Sequence, residues 1–157
     1  MGLTLELIGP EETFRLGEIL GRRLWAGSLL ALSGPLGAGK TCLTQGVAAG
    51  LEVPENTPVV SPTFTLANEY QGLRMLFHLD AYRLSAEEFG ESGLDEYFGR
   101  EGVTVIEWAD RVAGFLPEER LDLELSFSEP AGRRARLEPR GPAYEELTAE
   151  IRETWGR

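Results

Sequence analysis

Lysine, histidine and cysteine each occur once in this 157-residue chain, as Lys40, His78 and Cys42. A lone cysteine closes no internal disulfide, so nothing points to an oxidising compartment. A lone histidine without a second cysteine leaves no ligand set at zinc spacing. No apolar run approaches the roughly 20 residues of a membrane span. The opening segment MGLTLELIGPEE has no basic stretch followed by an apolar core, so no signal peptide is expected. These absences predict a cytoplasmic protein with no membrane contact. Positive charge is also scarce, with 15 Lys+Arg against 26 Asp+Glu and a net charge of −11. Phosphate contacts dominate nucleic-acid affinity, so a chain this acidic is not a self-sufficient nucleic-acid binder. Binding one nucleotide in a local pocket, or docking on a basic partner, stays open.

What is present suits one globular domain. Hydrophobic residues make up 42% of the chain, near the usual share, and the length is that of about one domain. No repeat, low-complexity tract or long linker divides it, so a single domain over residues 1–157 is expected. Leu3–Ile8 alternates like an edge strand. A helix follows from Gly9–Pro10, with Glu11 and Glu12 at the positive end of its dipole and an apolar stripe through Phe14, Leu16, Ile19, Leu20 and Leu24. Ser28–Ser33 is a continuous apolar run, as in a strand buried on both faces. A second helix runs from near Lys40 to about Ala49. Residues 52–62 form a loop, and strands are expected at Thr63–Tyr70 and Leu73–Leu79 about a turn at Gln71–Gly72. Ser85–Glu88 reads as a capping box on a short helix. Val103–Ile106 is another buried strand, and Ala109–Phe115 a helix stopped by Pro117. Arg120–Phe127 and Arg134–Leu137 alternate as a hairpin, and a terminal helix covers about 142–157.

Residues 34–41, Gly-Pro-Leu-Gly-Ala-Gly-Lys-Thr, match G-x-x-x-x-G-K-[ST] at every required position. The chemistry dictates the spacing. Glycines let backbone N–H groups turn inward around phosphate oxygens. The helix that begins near Lys40 adds the positive end of its dipole. The Lys40 ammonium reaches the outer phosphates, and the Thr41 hydroxyl is suited to ligate Mg²⁺. Fourteen of the fifteen basic residues are arginine, so the surviving lysine stands where a compact point charge fits and a planar fork does not. A metal of this kind also takes a carboxylate from a neighbouring strand end. Two strands end in an acid, one at Asp80 and one at Glu107, and periodicity does not choose between them.

The glycine loop, Ser61-Pro-Thr-Phe-Thr65, His78-Leu-Asp-Ala-Tyr-Arg83 and Glu107-Trp108 together resemble one family in order and spacing over about residues 1–140. That family is TsaE, the small bacterial ATPase of tRNA threonylcarbamoyladenosine synthesis. Pro35 stands where the family has Asp, Leu79 and Ala81 replace Phe and Leu around Asp80, and Ala109 follows Trp108 where Pro is common. None of these removes a group that must touch phosphate or metal. The resemblance implies that Gly37, Ala38, Gly39, Lys40, Thr41 and Cys42 form the ATP-binding loop. It implies that Thr41 and Glu107 ligate Mg²⁺ and that Asp80 is an acid near the γ-phosphate, with Lys40, Asp80 and Glu107 as the catalytic set. Thr13 and Arg133 match family positions near the nucleotide, and Ser61–Thr65 matches a switch-like loop. The implied partners are the TsaB–TsaD pair, which stimulates a weak intrinsic hydrolysis, with tRNA contacted only through them.

Other residues carry plainer readings. His78 is read as a half-buried strand residue in preference to a catalytic one. The Cys42 side chain is a small packed group with no base to activate it. Trp108 leans toward a functional role. Tyr82 and Arg83 form a strand-end surface pair, Arg83 also being a candidate for stabilising transition-state charge. The acidic run Glu87–Glu96 is read as a solvated face, with a docking surface for a basic partner as the alternative. The expected fold is α/β, a P-loop NTPase-like three-layer domain whose central mixed sheet is largely parallel with antiparallel additions. Two rivals to the ATPase remain. One is a small phosphotransferase, disfavoured because residues 84–102 carry only Arg100 where a lid needs several arginines. The other is a nucleotide-gated binding module without turnover.

Overall fold

The computed structural model describes residues 2–156; Met1 and Arg157, at the ends of the expected 1–157 span, lie outside the described residues. In chain order the elements are β1 (Leu3–Leu7), α1 (Gly9–Arg23), β2 (Leu29–Ser33), α2 (Lys40–Gly50), β3 (Ala67–Gln71), β4 (Met75–Asp80), α3 (Ala86–Ser92), β5 (Val103–Glu107), β6 (Arg120–Ser128), β7 (Gly132–Arg140) and α4 (Pro142–Trp155). Short 3-10 segments cover Leu94–Tyr97 and Ala109–Phe115. All the strands join one sheet in the order β1-β7-β6-β2-β5-β4-β3. The four central strands, β6, β2, β5 and β4, run parallel, while β3 at one edge and β7 and β1 at the other are antiparallel additions.

The sheet is the middle of three layers. On one face α1, α2 and α4 pack over Leu30, Leu32, Val103, Val105, Leu121, Leu123 and Leu125 through Leu16, Leu20, Leu43, Val47, Leu147 and Ile151. The opposite face is covered by α3 and the 3-10 segments, with Phe89, Leu94, Ala109 and Val112 on Ala31, Phe77, Leu79 and Ile106. This explains the unbroken apolar run of β2, which is covered on both sides. It also explains the alternation of β6. Its inward residues Leu121, Leu123 and Leu125 are buried, while Asp122 and Glu124 lie on the other face, in an open pocket beside the 3-10 segment Ala109–Phe115.

Helices α1 and α2 touch backbone to backbone. A Cβ on Gly46 would lie 2.2 Å from the Phe14 carbonyl oxygen, and one on Gly17 would lie 2.2 Å from that of Leu43. No side chain fits in that seam. It holds the start of α2, with Lys40 and Thr41, at a set distance from α1.

Three expected elements differ. The first middle strand begins at Ala67 rather than Thr63, because residues 62–66 close a turn in which Leu66 N–H donates to the Pro62 carbonyl at 2.7 Å and Leu66 takes φ +71. Its partner extends one residue further than expected, so that Asp80 is in the strand. Ala109–Phe115 is 3-10 and broken at Val112 (φ −126), not a regular helix. The hairpin and the capping box stand as expected, with Ser85 Oγ accepting from Glu88 N–H and the Glu88 carboxylate accepting from Ser85 N–H. No helix among the described residues is long and apolar enough to cross a membrane.

Candidate nucleotide and metal site

The parallel strands β2, β4 and β5 point their carboxyl ends at one edge of the sheet, where ligands of such sheets bind. The glycine loop leaves β2 there. Gly34 takes φ +139 with its α-carbon pressed on β6, where a Cβ would stand 2.3 Å from the Leu125 carbonyl oxygen. Gly37 and Gly39 also adopt left-handed backbone, and Gly39 opens α2. The loop faces a cleft of about 350 Å³ shared with the ends of β4 and β5.

Lys40 is 5% exposed. Its ammonium donates to the carbonyl oxygens of Gly34 at 2.6 Å and Pro35 at 3.0 Å, and sits 3.9 Å from the centre of the Trp108 ring. Burial pushes it below the ordinary lysine range, and the carboxylates of Glu107, Asp110 and Asp80 oppose that shift. Trp108 holds the left-handed region at φ +60, an outlier for a bulky residue, and its ring also meets Tyr82 at 4.9 Å. Strain of this kind concentrates at functional sites.

The two strand-end acids are partners in register, Asp80 on β4 beside Glu107 on β5. Both are 3% exposed, yet their neighbours differ. Glu107 Oε2 accepts from Ser61 Oγ at 2.8 Å, and Ser61 Oγ lies 2.5 Å from Thr41 Oγ1. Glu107 is thus joined to the loop threonine through one hydroxyl. Asp80 accepts instead from Thr63 Oγ1 at 3.1 Å and from the Tyr82 N–H at 2.8 Å. Segment 61–63 therefore binds both acids.

Every expected site residue lies at or near this cleft. Thr13 of α1 is buried, with its Cγ2 3.4 Å from where a Cβ on Gly39 would stand. Arg133 of β7 donates to the Gly37 carbonyl at 3.3 Å and lies over the Phe127 ring. Ala38 is fully buried in the loop. Cys42 reaches the Pro10 carbonyl at 3.5 Å, and burial, reinforced by Glu11, pushes its thiol up, away from nucleophilic use. Arg83 does not line the cleft. Its guanidinium covers the ring of Phe64, itself 81% exposed. The run Glu87–Glu96 is mostly exposed apart from Phe89 and Leu94, as a solvated face requires.

Two site residues escaped the sequence reading. Ser61 was seen as loop, not as the bridge between Thr41 and Glu107. His78 was read as half-buried, but it is fully buried and hydrogen-bonded to Glu107. Period-two alternation places His78 on the same face as Asp80, and that signal was available. The contact itself crosses from β4 to β5, and no local pattern encodes it.

Known proteins place the chain in a family. The family model for "Threonylcarbamoyl adenosine biosynthesis protein TsaE" matches residues 7–135. The tRNA threonylcarbamoyladenosine biosynthesis protein TsaE of Nostoc sp. is 41% identical over 148 residues, 91% of this chain and 90% of that one. Its counterpart in Bacillus subtilis is 39% identical over 146 residues, 92% and 90% of the two chains. Among solved structures, YdiB of Bacillus subtilis superposes with a TM-score of 0.84 at 34% identity, covering 98% of this chain and 95% of that one. With the strand–glycine loop–helix and its two strand-end acids in place, these matches assign the chain to the TsaE family, with a P-loop fold.

Proposed function

We propose that this protein is a single-domain, Mg²⁺-dependent ATPase that serves tRNA threonylcarbamoyladenosine biosynthesis together with the TsaB–TsaD pair. One observation carries the reading. Lys40, Thr41, Asp80 and Glu107 come from three different elements and converge on one cleft at the carboxyl ends of the parallel strands. The relatives from Nostoc and Bacillus subtilis supply the pathway.

The donor set fits a hard divalent cation. Thr41 and Ser61 hydroxyls and the Glu107 carboxylate are all oxygens, with Ser61 within hydrogen-bond distance of both of the others, and Mg²⁺ takes oxygen ligands. Thr41 and Glu107 hold the ion. When bound, Mg²⁺ neutralises charge on the outer phosphates. The amides of residues 37–42 and the positive end of α2 receive the phosphate oxygens. Lys40 leaves the Gly34 and Pro35 carbonyls and donates to the terminal phosphates. Asp80, fixed by the Tyr82 amide, accepts a hydrogen bond from the attacking water and orients it. Thr13 and Arg133 line the approach to the nucleotide.

Segment 61–63 ties up both acids in the resting protein, which supports slow hydrolysis until a partner moves it. Leu36 and Tyr82 line the cleft and are exposed, and Phe64, next to the lining residue Thr63, is exposed as well, a surface that a protein partner covers. Net charge −11 leaves direct tRNA contact to those partners. The site and the pathway support a protein at work in the cytoplasm.

Phosphate release from Mg-ATP, measured alone and with TsaB–TsaD, tests the reading. Slow release that rises strongly with the pair is expected. Asp80→Asn should keep ATP binding and partner assembly while tRNA modification stops. If modification persists in that variant, nucleotide binding alone suffices. A phosphorylated acceptor in place of free phosphate would show a phosphotransferase.

A further inference from the structure

The mechanism above leaves one buried polar group unused. His78 is 0% exposed, its Nε2 lies 2.5 Å from Glu107 Oε2, and its Nδ1 has no hydrogen-bond partner among the described residues. A buried polar atom left unpaired carries a desolvation cost. An apolar residue at this point of β4 would avoid that cost, since Leu76 and Leu79 fill neighbouring positions without it. The return for keeping a histidine therefore has to come from its other nitrogen.

That nitrogen acts on one atom. A carboxylate that ligates a cation accepts only, so in that role of Glu107 the proton of the contact belongs on Nε2 of the imidazole. Glu107 Oε2 then receives two hydrogen bonds, one from Ser61 on a loop and one from His78 on a packed strand. The loop partner moves in the mechanism above, and the strand partner does not. Parallel pairing sets Leu79 opposite Ile106 and Asp80 opposite Glu107, which holds the imidazole beside the carboxylate whatever residues 61–65 do. The second carboxylate oxygen, Oε1, is left for another ligand.

Resting on the reading of Glu107 as a Mg²⁺ ligand, we propose that His78 is a positioning residue that fixes the Glu107 carboxylate for the cation when segment 61–65 moves away. It touches neither nucleotide nor metal. Hydrogen-bond partners of ligating carboxylates are worth about 10–100-fold in metal affinity.

The test is Mg²⁺ titration of the binding of a non-hydrolysable ATP analogue to the full chain, with parallel titrations in EDTA. His78→Leu should raise the Mg²⁺ concentration at half-saturation by about 10–100-fold and leave affinity in EDTA unchanged. His78→Gln, whose amide nitrogen reaches the place of Nε2, should recover most of the loss. His78→Asn, too short to reach, should not. In a Glu107→Gln background, His78→Leu should add no further shift, because the effect runs through Glu107. A wild-type half-saturation in His78→Leu overturns the proposal. So does an equal shift with and without Glu107, or, where the leucine variant fails to fold, an equal shift in the Gln and Asn variants. Wild-type binding that is indifferent to Mg²⁺ would instead overturn the metal reading of the cleft and the inference with it.

Discussion

A single methyl group added at Gly46 tests whether the helix seam holds the phosphate loop in place. In Gly46→Ala the new Cβ starts 2.2 Å from the Phe14 carbonyl oxygen, with the Gly17 Cα only 3.0 Å away. Ordinary C···O contacts lie near 3.3 Å or beyond, so α1 and α2 must part by about 1 Å. Both sides of the clash are backbone, and no rotamer relieves it. Overpacking of this kind costs about 3 kcal/mol at the upper end of its usual range. Alanine returns about 1 kcal/mol of helix propensity. The net loss is about 2 kcal/mol, or roughly a 4–8 °C fall in Tm for a domain of this size. The shift also moves Lys40 and Thr41 away from Thr13 and β5, and a displacement of about 1 Å at a site costs on the order of 100-fold in rate. Thermal unfolding by circular dichroism, with phosphate release from Mg-ATP measured below the transition, reads both effects. Gly114→Ala is the control, because a Cβ there meets nothing within 4 Å. A Gly46→Ala protein that melts within about 1 °C of wild type would refute the seam as a spacing device.

Three further outcomes are expected. Burial depresses Lys40 in the free protein and phosphate oxygens raise it again, so Mg-ATP binding should take up protons at alkaline pH and weaken as pH rises through the free-state value. Calorimetry in buffers of different ionisation enthalpy reads this, and proton release in place of uptake would contradict it. Trp108 lies against the Lys40 ammonium, so drawing Lys40 to the nucleotide should change tryptophan emission, and the change should vanish in Trp108→Phe although Trp25 and Trp155 remain. Ser61→Ala removes the hydroxyl that ties Glu107 to Thr41 in the resting protein and should lower the Mg²⁺ requirement for ATP binding by about 5–10-fold, on the scale of one hydrogen bond. A raised requirement would contradict the reading of segment 61–63 as a resting-state tie.

The elements most legible in the sequence are those with a local cause. Residues 34–41 spell out a phosphate cradle because each position answers a backbone or ligand need, and the structure places that loop between β2 and α2. The run Ser28–Ser33 announced a strand buried on both faces, since only such a strand needs no polar side. Segment 63–66 misled because its alternation resembles a strand, while its real conformation depends on Pro62 accepting from Leu66 N–H. Ala109–Phe115 misled because its apolar spacing suits a regular helix as well as a 3-10 turn.

The sequence by itself determined the kind of ligand, because glycine spacing, a lone lysine and a following threonine are the chemistry of a phosphate written in adjacent residues. It determined the α/β class too, through the switch from alternating to helical periods. It left Asp80 and Glu107 equal, since each is an acid at a strand end. Only the tertiary structure gave them different neighbours, Ser61 and His78 for Glu107, Thr63 and the Tyr82 amide for Asp80. Strand order was decided there as well. Pairing between distant strands depends on which faces the helices bury, and that sum over the whole chain has no local signature.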